Sequence, residues 1–236
     1  MAVNKESNKY TFTFSIILVV VVGTILSSLS LGLKPLQEKN QEVKKKIDIL
    51  KAIGVSEADR SNGEELYDKY IVGSYVISAN GETLENEVAF DVDVRKQIRD
   101  KKIKPKDRLY PIFQAEKEGE DMYVLPVVGK GLWGPIWGYI AIGPDKKTIV
   151  GASFDHQGET PGLGAEINQA DFQNRYQNAK ISDGEKFTPI TVVKDGTGES
   201  SPQKVDGITG GTITSKGVEE MMNRTMKVYQ SYFSLK

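Results

Sequence analysis

The 236-residue chain contains no cysteine. That absence excludes disulfides, thiolate nucleophiles, iron–sulfur ligation by this chain and thiolate zinc sites. It leaves the redox compartment open, because a cysteine-free chain persists on either side of a membrane. Histidine is almost as scarce: His156 is the only one. A single imidazole cannot build a multi-histidine metal site, so metalloenzyme and serine–histidine hydrolase readings both start weak. Excess charge is missing too, with 31 Lys and Arg against 32 Asp and Glu and a formal net charge of −1. Without a cationic surplus there is no footprint for nucleic acid.

One feature is present in unusual length. No charged residue interrupts the chain from Tyr10 to Leu33, and Ile16 to Val22 is continuously apolar. As a helix rising about 1.5 Å per residue, this stretch spans roughly 36 Å, enough to cross a hydrocarbon core of about 30 Å with some tilt. A cleaved signal peptide is the rival reading, but its apolar region usually holds only about 7 to 15 residues. The expected organisation is a tail at 1–9, a transmembrane helix at 10–33, a helical connector at 34–70 and a soluble domain at 71–236. In the connector, Val43, Ile47, Leu50 and Ile53 recur at helical spacing, and Gly54 stands where a helix would end. Lys5 and Lys9 precede the apolar span, whereas Lys34, Lys39 and Lys44 to Lys46 follow it. Counted naively, this bias puts the large domain in the cytoplasm.

Beyond residue 71 the pattern turns β-rich. Short apolar runs at 73–77 and 123–128 read as strands, and Asn80-Gly81 marks a tight turn. The runs at 136–142 and 148–154 flank a polar turn and read as a hairpin. A helix is expected near 169–178, a strand at 190–193 and a terminal helix with Val218, Met221, Met222, Thr225 and Tyr229 on one face. Strands and helices without regular alternation predict an α+β domain following the single N-terminal helix.

Gly129-Lys130-Gly131-Leu132-Trp133-Gly134 matches the dinucleotide fingerprint in letters only. That motif needs a helix leaving it, and here Pro135 and a β-rich run follow. Two other segments are richer in chemistry. Glycines on both sides of Pro161 in 156–164 let backbone amides approach a ligand, and Thr160 adds a hydroxyl. The segment Asp206-Gly207-Ile208-Thr209-Gly210-Gly211-Thr212-Ile213-Thr214-Ser215 opens the terminal helix. Its hydroxyls serve equally as a helix cap or at a phosphate site, where free N–H groups favour negative charge.

In these segments the chain resembles the covalent FMN-binding domain family. Within it the likeness is to the C subunits of sodium-translocating NADH–quinone reductases, which are related to the G subunits of Rnf complexes. The family's flavinylation signature is an aspartate followed by Ser/Thr-Gly-Ala-Thr, with FMN joined by a phosphoester to the last threonine. Here Gly211 stands in place of the alanine, and the matching acceptor is Thr212, with Thr214 a lesser alternative. The run Gly-Lys-Gly-Leu-Trp at 129–133 resembles the reductase protein more than its Rnf relative, which is the alternative reading. The FMN-binding region spans about 123–230. The resemblance implies that Glu159, Thr160 and Leu163 line the isoalloxazine pocket, with Gly162, Gly164, Thr209, Gly210 and Gly211 shaping it. Lys194 is either a phosphate contact or simply solvated, and Trp133 packs either by the ring or in the core. It further implies an electron-relay subunit that is not catalytic alone, partnered by the other subunits of the complex and, during maturation, by a flavin transferase. The implied location is the bacterial inner membrane, single-pass, with the domain on the periplasmic side, against the lysine count.

Overall fold

In the computed structural model, residues 7–184 and 186–234 are described. Of the predicted tail, residues 1–6 therefore lie outside the described residues. Helix α1 runs unbroken from Asn8 to Ala52, through Pro35, so one helix carries the charge-free stretch and the start of the connector. It is long and apolar enough to cross a membrane. Its end follows from sequence: the Val55 N–H bonds the Leu50 carbonyl at 3.0 Å and the Gly54 N–H bonds that of Lys51, also at 3.0 Å. Gly54 adopts φ +75°, so the chain closes α1 with a Schellman turn that a residue with a Cβ disfavours. The chain forms two compact units that part between Lys44 and Lys45.

The larger unit is built on one sheet. After α2 (Gly63–Tyr70) come β1 (Ile71–Ser78), β2 (Thr83–Leu84) and α3 (Val94–Arg99). Then follow β3 (Leu109–Lys117), β4 (Glu120–Lys130), β5 (Pro135–Ile142) and β6 (Ile149–His156). The six strands lie in the order β2-β1-β3-β4-β5-β6, every pair antiparallel. The predicted strands at 73–77 and 123–128 fall inside β1 and β4, and the hairpin at 136–142 and 148–154 matches β5 and β6, with Thr148 one residue before β6. Gly81 takes φ +83° in the turn after β1.

Both faces of the sheet are covered. On one, the register row Phe113–Val124–Ala141–Gly151 meets the last turns of α1. The Lys45 ammonium there sits 5.9 Å from the centre of the Phe113 ring, and a Cβ on Gly151 would collide with the Ala52 carbonyl oxygen. On the other face, Ile112, Leu125 and Ile140 form a core with Val218, Met221, Met222 and Tyr229. These last belong to α5 (Thr212–Ser234), the predicted terminal helix. Tyr229 donates its hydroxyl to the Pro111 carbonyl at 2.8 Å, tying α5 to β3.

Between β6 and α5 the chain differs from the periodicity reading. The helix expected at 169–178 is reduced to α4 (Ala170–Asn174), preceded by a 3-10 turn at Gly164–Asn168. Asn178, at φ +65°, turns the chain so that its N–H bonds the Ile149 carbonyl and the Ala179 carbonyl accepts from Ile149. Tertiary pairing thus overrides helix propensity. β7 (Ser182–Asp183) and β8 (Lys186–Phe187) form a small hairpin. β9 (Thr191–Val193) lies parallel to β10 (Lys204–Asp206), which delivers the chain to the head of α5.

Candidate cofactor site

Three segments converge where α5 begins. The first is the turn at the end of β4, closed by a bond from the Gly131 N–H to the Gly134 carbonyl at 2.8 Å. The second is the loop 156–164 after β6, and the third is the signature segment 206–215. Their junction is the carboxylate of Glu159, only 5% exposed. Its Oε1 accepts from the N–H groups of Trp133 at 2.8 Å and Gly134 at 3.3 Å. Oε2 accepts from Leu132 N–H at 3.3 Å and from the Thr214 hydroxyl at 2.5 Å. Burial alone would raise its pKa, but the bonds from Thr214 and the three amides outweigh it and hold the carboxyl below its ordinary value.

Two glycines of the first two segments, Gly131 and Gly164, have a packing reason. A Cβ on Gly131 would lie 2.6 Å from Glu159 Oε1, and one on Gly164 would lie 2.5 Å from both Glu159 Oε2 and Thr214 Oγ1. His156, the lone histidine, holds the base of the loop by accepting the Glu159 N–H on Nδ1 at 3.1 Å.

The signature segment is stitched from within. Buried Ser215 accepts the Ile208 N–H at 3.0 Å and donates to the Gly211 carbonyl at 2.9 Å. The Arg175 guanidinium donates to the carbonyls of Asp206 and Gly207 at 3.2 and 3.1 Å, and pairs with Asp171. Asp206 accepts the Gly198 N–H at 3.1 Å. Gly210, at φ +76°, makes the final turn into the helix. A Cβ on Gly210 would lie 2.6 Å from the Leu163 side chain, which brings the second and third segments together.

The two threonines of the helix head then differ. Thr214 is 1% exposed and its hydroxyl is engaged by Glu159. Thr212 is partly exposed, and among the described residues its hydroxyl has no hydrogen-bond partner. The first amide of α5 with a helical acceptor is that of Ser215, bonded to Gly211 at 2.9 Å. The N–H groups of Thr212, Ile213 and Thr214 precede it, so the helix head presents free donors beside the Thr212 hydroxyl.

Of the other residues named from sequence, Thr160, Gly162, Thr209 and Gly210 are exposed on the loops, while Gly164 and Gly211 are buried beneath them. Trp133 is 70% exposed and so is not a core residue. Leu132, Leu163 and Ile213 are exposed as well, giving the site an apolar rim. Lys194 lies exposed just after β9, and among the described residues no hydrogen bond or ion pair ties it to Thr212. Ser215 belongs to the hydroxyls expected at the helix head and there bonds the Ile208 N–H and the Gly211 carbonyl. Arg175 was not foreseen, because it carries no local signal.

The fold and this site define an FMN-binding domain: the profile of the family described as "FMN-binding domain" matches residues 131–227. The match takes in the turn, the loop and the signature segment. Relatives extend over nearly the whole chain. It is 34% identical to the C subunit of the Na(+)-translocating NADH-quinone reductase of Neisseria meningitidis, over 91% of this chain and 90% of that one. Identity to the corresponding C subunit of Haemophilus ducreyi is 31%, over 92% and 88%. Among solved structures, the C subunit of the Parabacteroides distasonis reductase superposes with a TM-score of 0.76 at 40% identity, covering 85% of this chain and 96% of that one. Shewanella oneidensis NqrC gives 0.69 at 26% identity, over 84% and 98%. The chain belongs to the family of Na(+)-translocating NADH-quinone reductase C subunits.

Proposed function

We propose that this protein is the FMN-carrying electron-transfer subunit of a sodium-translocating NADH–quinone reductase, with the flavin attached by a phosphoester to Thr212. The observation that carries the reading is the contrast at the head of α5. Thr214 is buried and engaged by Glu159, whereas Thr212 offers an unbonded hydroxyl beside unsatisfied helix amides. These residues fit the group. The amides of Thr212, Ile213 and Thr214 would hold its phosphate, because helix-head donors and the helix dipole both favour negative charge. Leu132, Trp133, Leu163 and Ile213 supply an apolar rim for a flat ring. A flavin supplies one- and two-electron transfer when bound, and the chain's part is to fix its place and exclude water around it.

In this reading the chain is one link in a relay and works only with the other subunits of the complex. A flavin transferase attaches the group during maturation. α1 anchors the protein in the bacterial inner membrane, with the larger unit on the periplasmic side. Assembly with multi-span partners offsets the opposing lysine bias. No charge interrupts Tyr10–Leu33, so the sodium path belongs to partner subunits. Full-length protein co-expressed with a flavin transferase should be yellow, and its visible absorption should stay with the polypeptide after denaturation and gel filtration. Colour lost on denaturation would contradict covalent attachment.

A further inference from the structure

Resting on this flavin reading, we propose that Glu159 is a positioning residue: its buried carboxylate fixes the Leu132–Trp133 turn to the first turn of α5, setting the apolar rim that the flavin ring meets. An ionised carboxylate accepts about four hydrogen bonds through its two oxygens. Glu159 already receives four, two on each oxygen, from Leu132, Trp133, Gly134 and Thr214. At 5% exposure it has neither the surface nor the acceptor capacity left to bind a ligand directly. Its neighbours make room for nothing else, since a Cβ at Gly131 or Gly164 would strike the carboxylate.

What the carboxylate joins is informative. On one side are successive amides of a turn whose side chains, Leu132 and Trp133, point into the open. On the other is Thr214, two residues from the proposed attachment point. Charge-assisted bonds are roughly twice as strong as neutral ones, and a buried carboxylate locks both partners to one frame. The rim is therefore held relative to Thr212 by Glu159, through Thr214. Gln at this position keeps one acceptor oxygen and replaces the other with a donor, leaving donors of the turn or the helix without a partner.

The test uses flavinylated full-length protein in detergent, comparing wild type with Glu159→Gln, Thr214→Val and Thr214→Ser. In Glu159→Gln the amides of Leu132–Gly134 should exchange hydrogen about tenfold faster or more, and the absorption band of the attached flavin should shift. Thr214→Val should move both readouts in the same direction, while Thr214→Ser, which keeps the hydroxyl, should match wild type. Should Glu159→Gln not fold, the Val and Ser pair decides. Wild-type exchange at Leu132–Gly134 in Glu159→Gln overturns the proposal, as does faster exchange with an unchanged flavin band. Absence of a flavin adduct from wild-type protein would instead sink the Thr212 reading, and the exchange comparison would still decide what the carboxylate does.

Discussion

At the scale of single residues, two charged groups make stability rise with pH, each in its own window. Glu159 titrates below its ordinary value of 4.5, since its hydrogen bonds outweigh burial. Its contribution to stability is therefore fully present above about pH 4.5 and is lost as pH falls through the lower folded value. Glu159→Gln should flatten the acid limb of a urea-midpoint profile taken from pH 7 to pH 3; an unchanged slope would contradict this. For Lys45 the window is alkaline. Burial lowers its pKa from 10.5 to about 8, although Asp93 and Asp91 act against that. Its ammonium rests 4.4 Å from the centre of the Phe90 ring and donates to the Phe90 carbonyl. Between pH 8 and 10.5 the unfolded chain binds the proton that the folded one has released, so stability rises with pH across that window. Lys45→Met should then be more stable than wild type at pH 7, with the gain vanishing by about pH 10.5 in thermal melts.

Secondary-structure elements show where close approach was built in. Gly131→Ala forces a Cβ against Glu159, and a loss of roughly 1–3 kcal/mol in denaturant unfolding is expected. Gly158→Ala meets nothing within 4 Å and should leave the unfolding midpoint nearly unchanged, a control in the neighbouring loop. At this scale much was legible. The 218–229 periodicity gave the face that α5 buries, Gly54 marked the end of α1, and Pro135 after Gly134 ruled out a dinucleotide helix. What was not legible depended on partners remote in sequence. α4 is cut short because Asn178 and Ala179 pair with Ile149. The β9 edge is held by side chains of α5, with Asn223 donating to and accepting from Ile190 at 2.8 Å. Arg175 reaches Asp206 and Gly207 from 31 and 32 residues away. No local pattern announces such contacts. The site was legible in its motifs, but the use of Glu159 as the knot among three segments depended on geometry.

For the whole molecule, composition marks a stretch long and apolar enough to span a membrane but is ambiguous about its direction. The charge-free stretch is helical throughout, inside α1. The lysines after it argue for the cytoplasm, and the proposed partnership argues for the periplasm. Protease added to intact spheroplasts should degrade the larger unit; protection there, with cleavage only after lysis, would reverse the orientation. The central claim concerns one hydroxyl, and peptide mass spectrometry on full-length protein co-expressed with a flavin transferase tests it most directly. The account predicts an adduct of FMN less one water on the peptide bearing Thr212, retained in Thr214→Val and lost in Thr212→Ala. An adduct that persists in Thr212→Ala, or that maps to another residue of the wild-type chain, would contradict it.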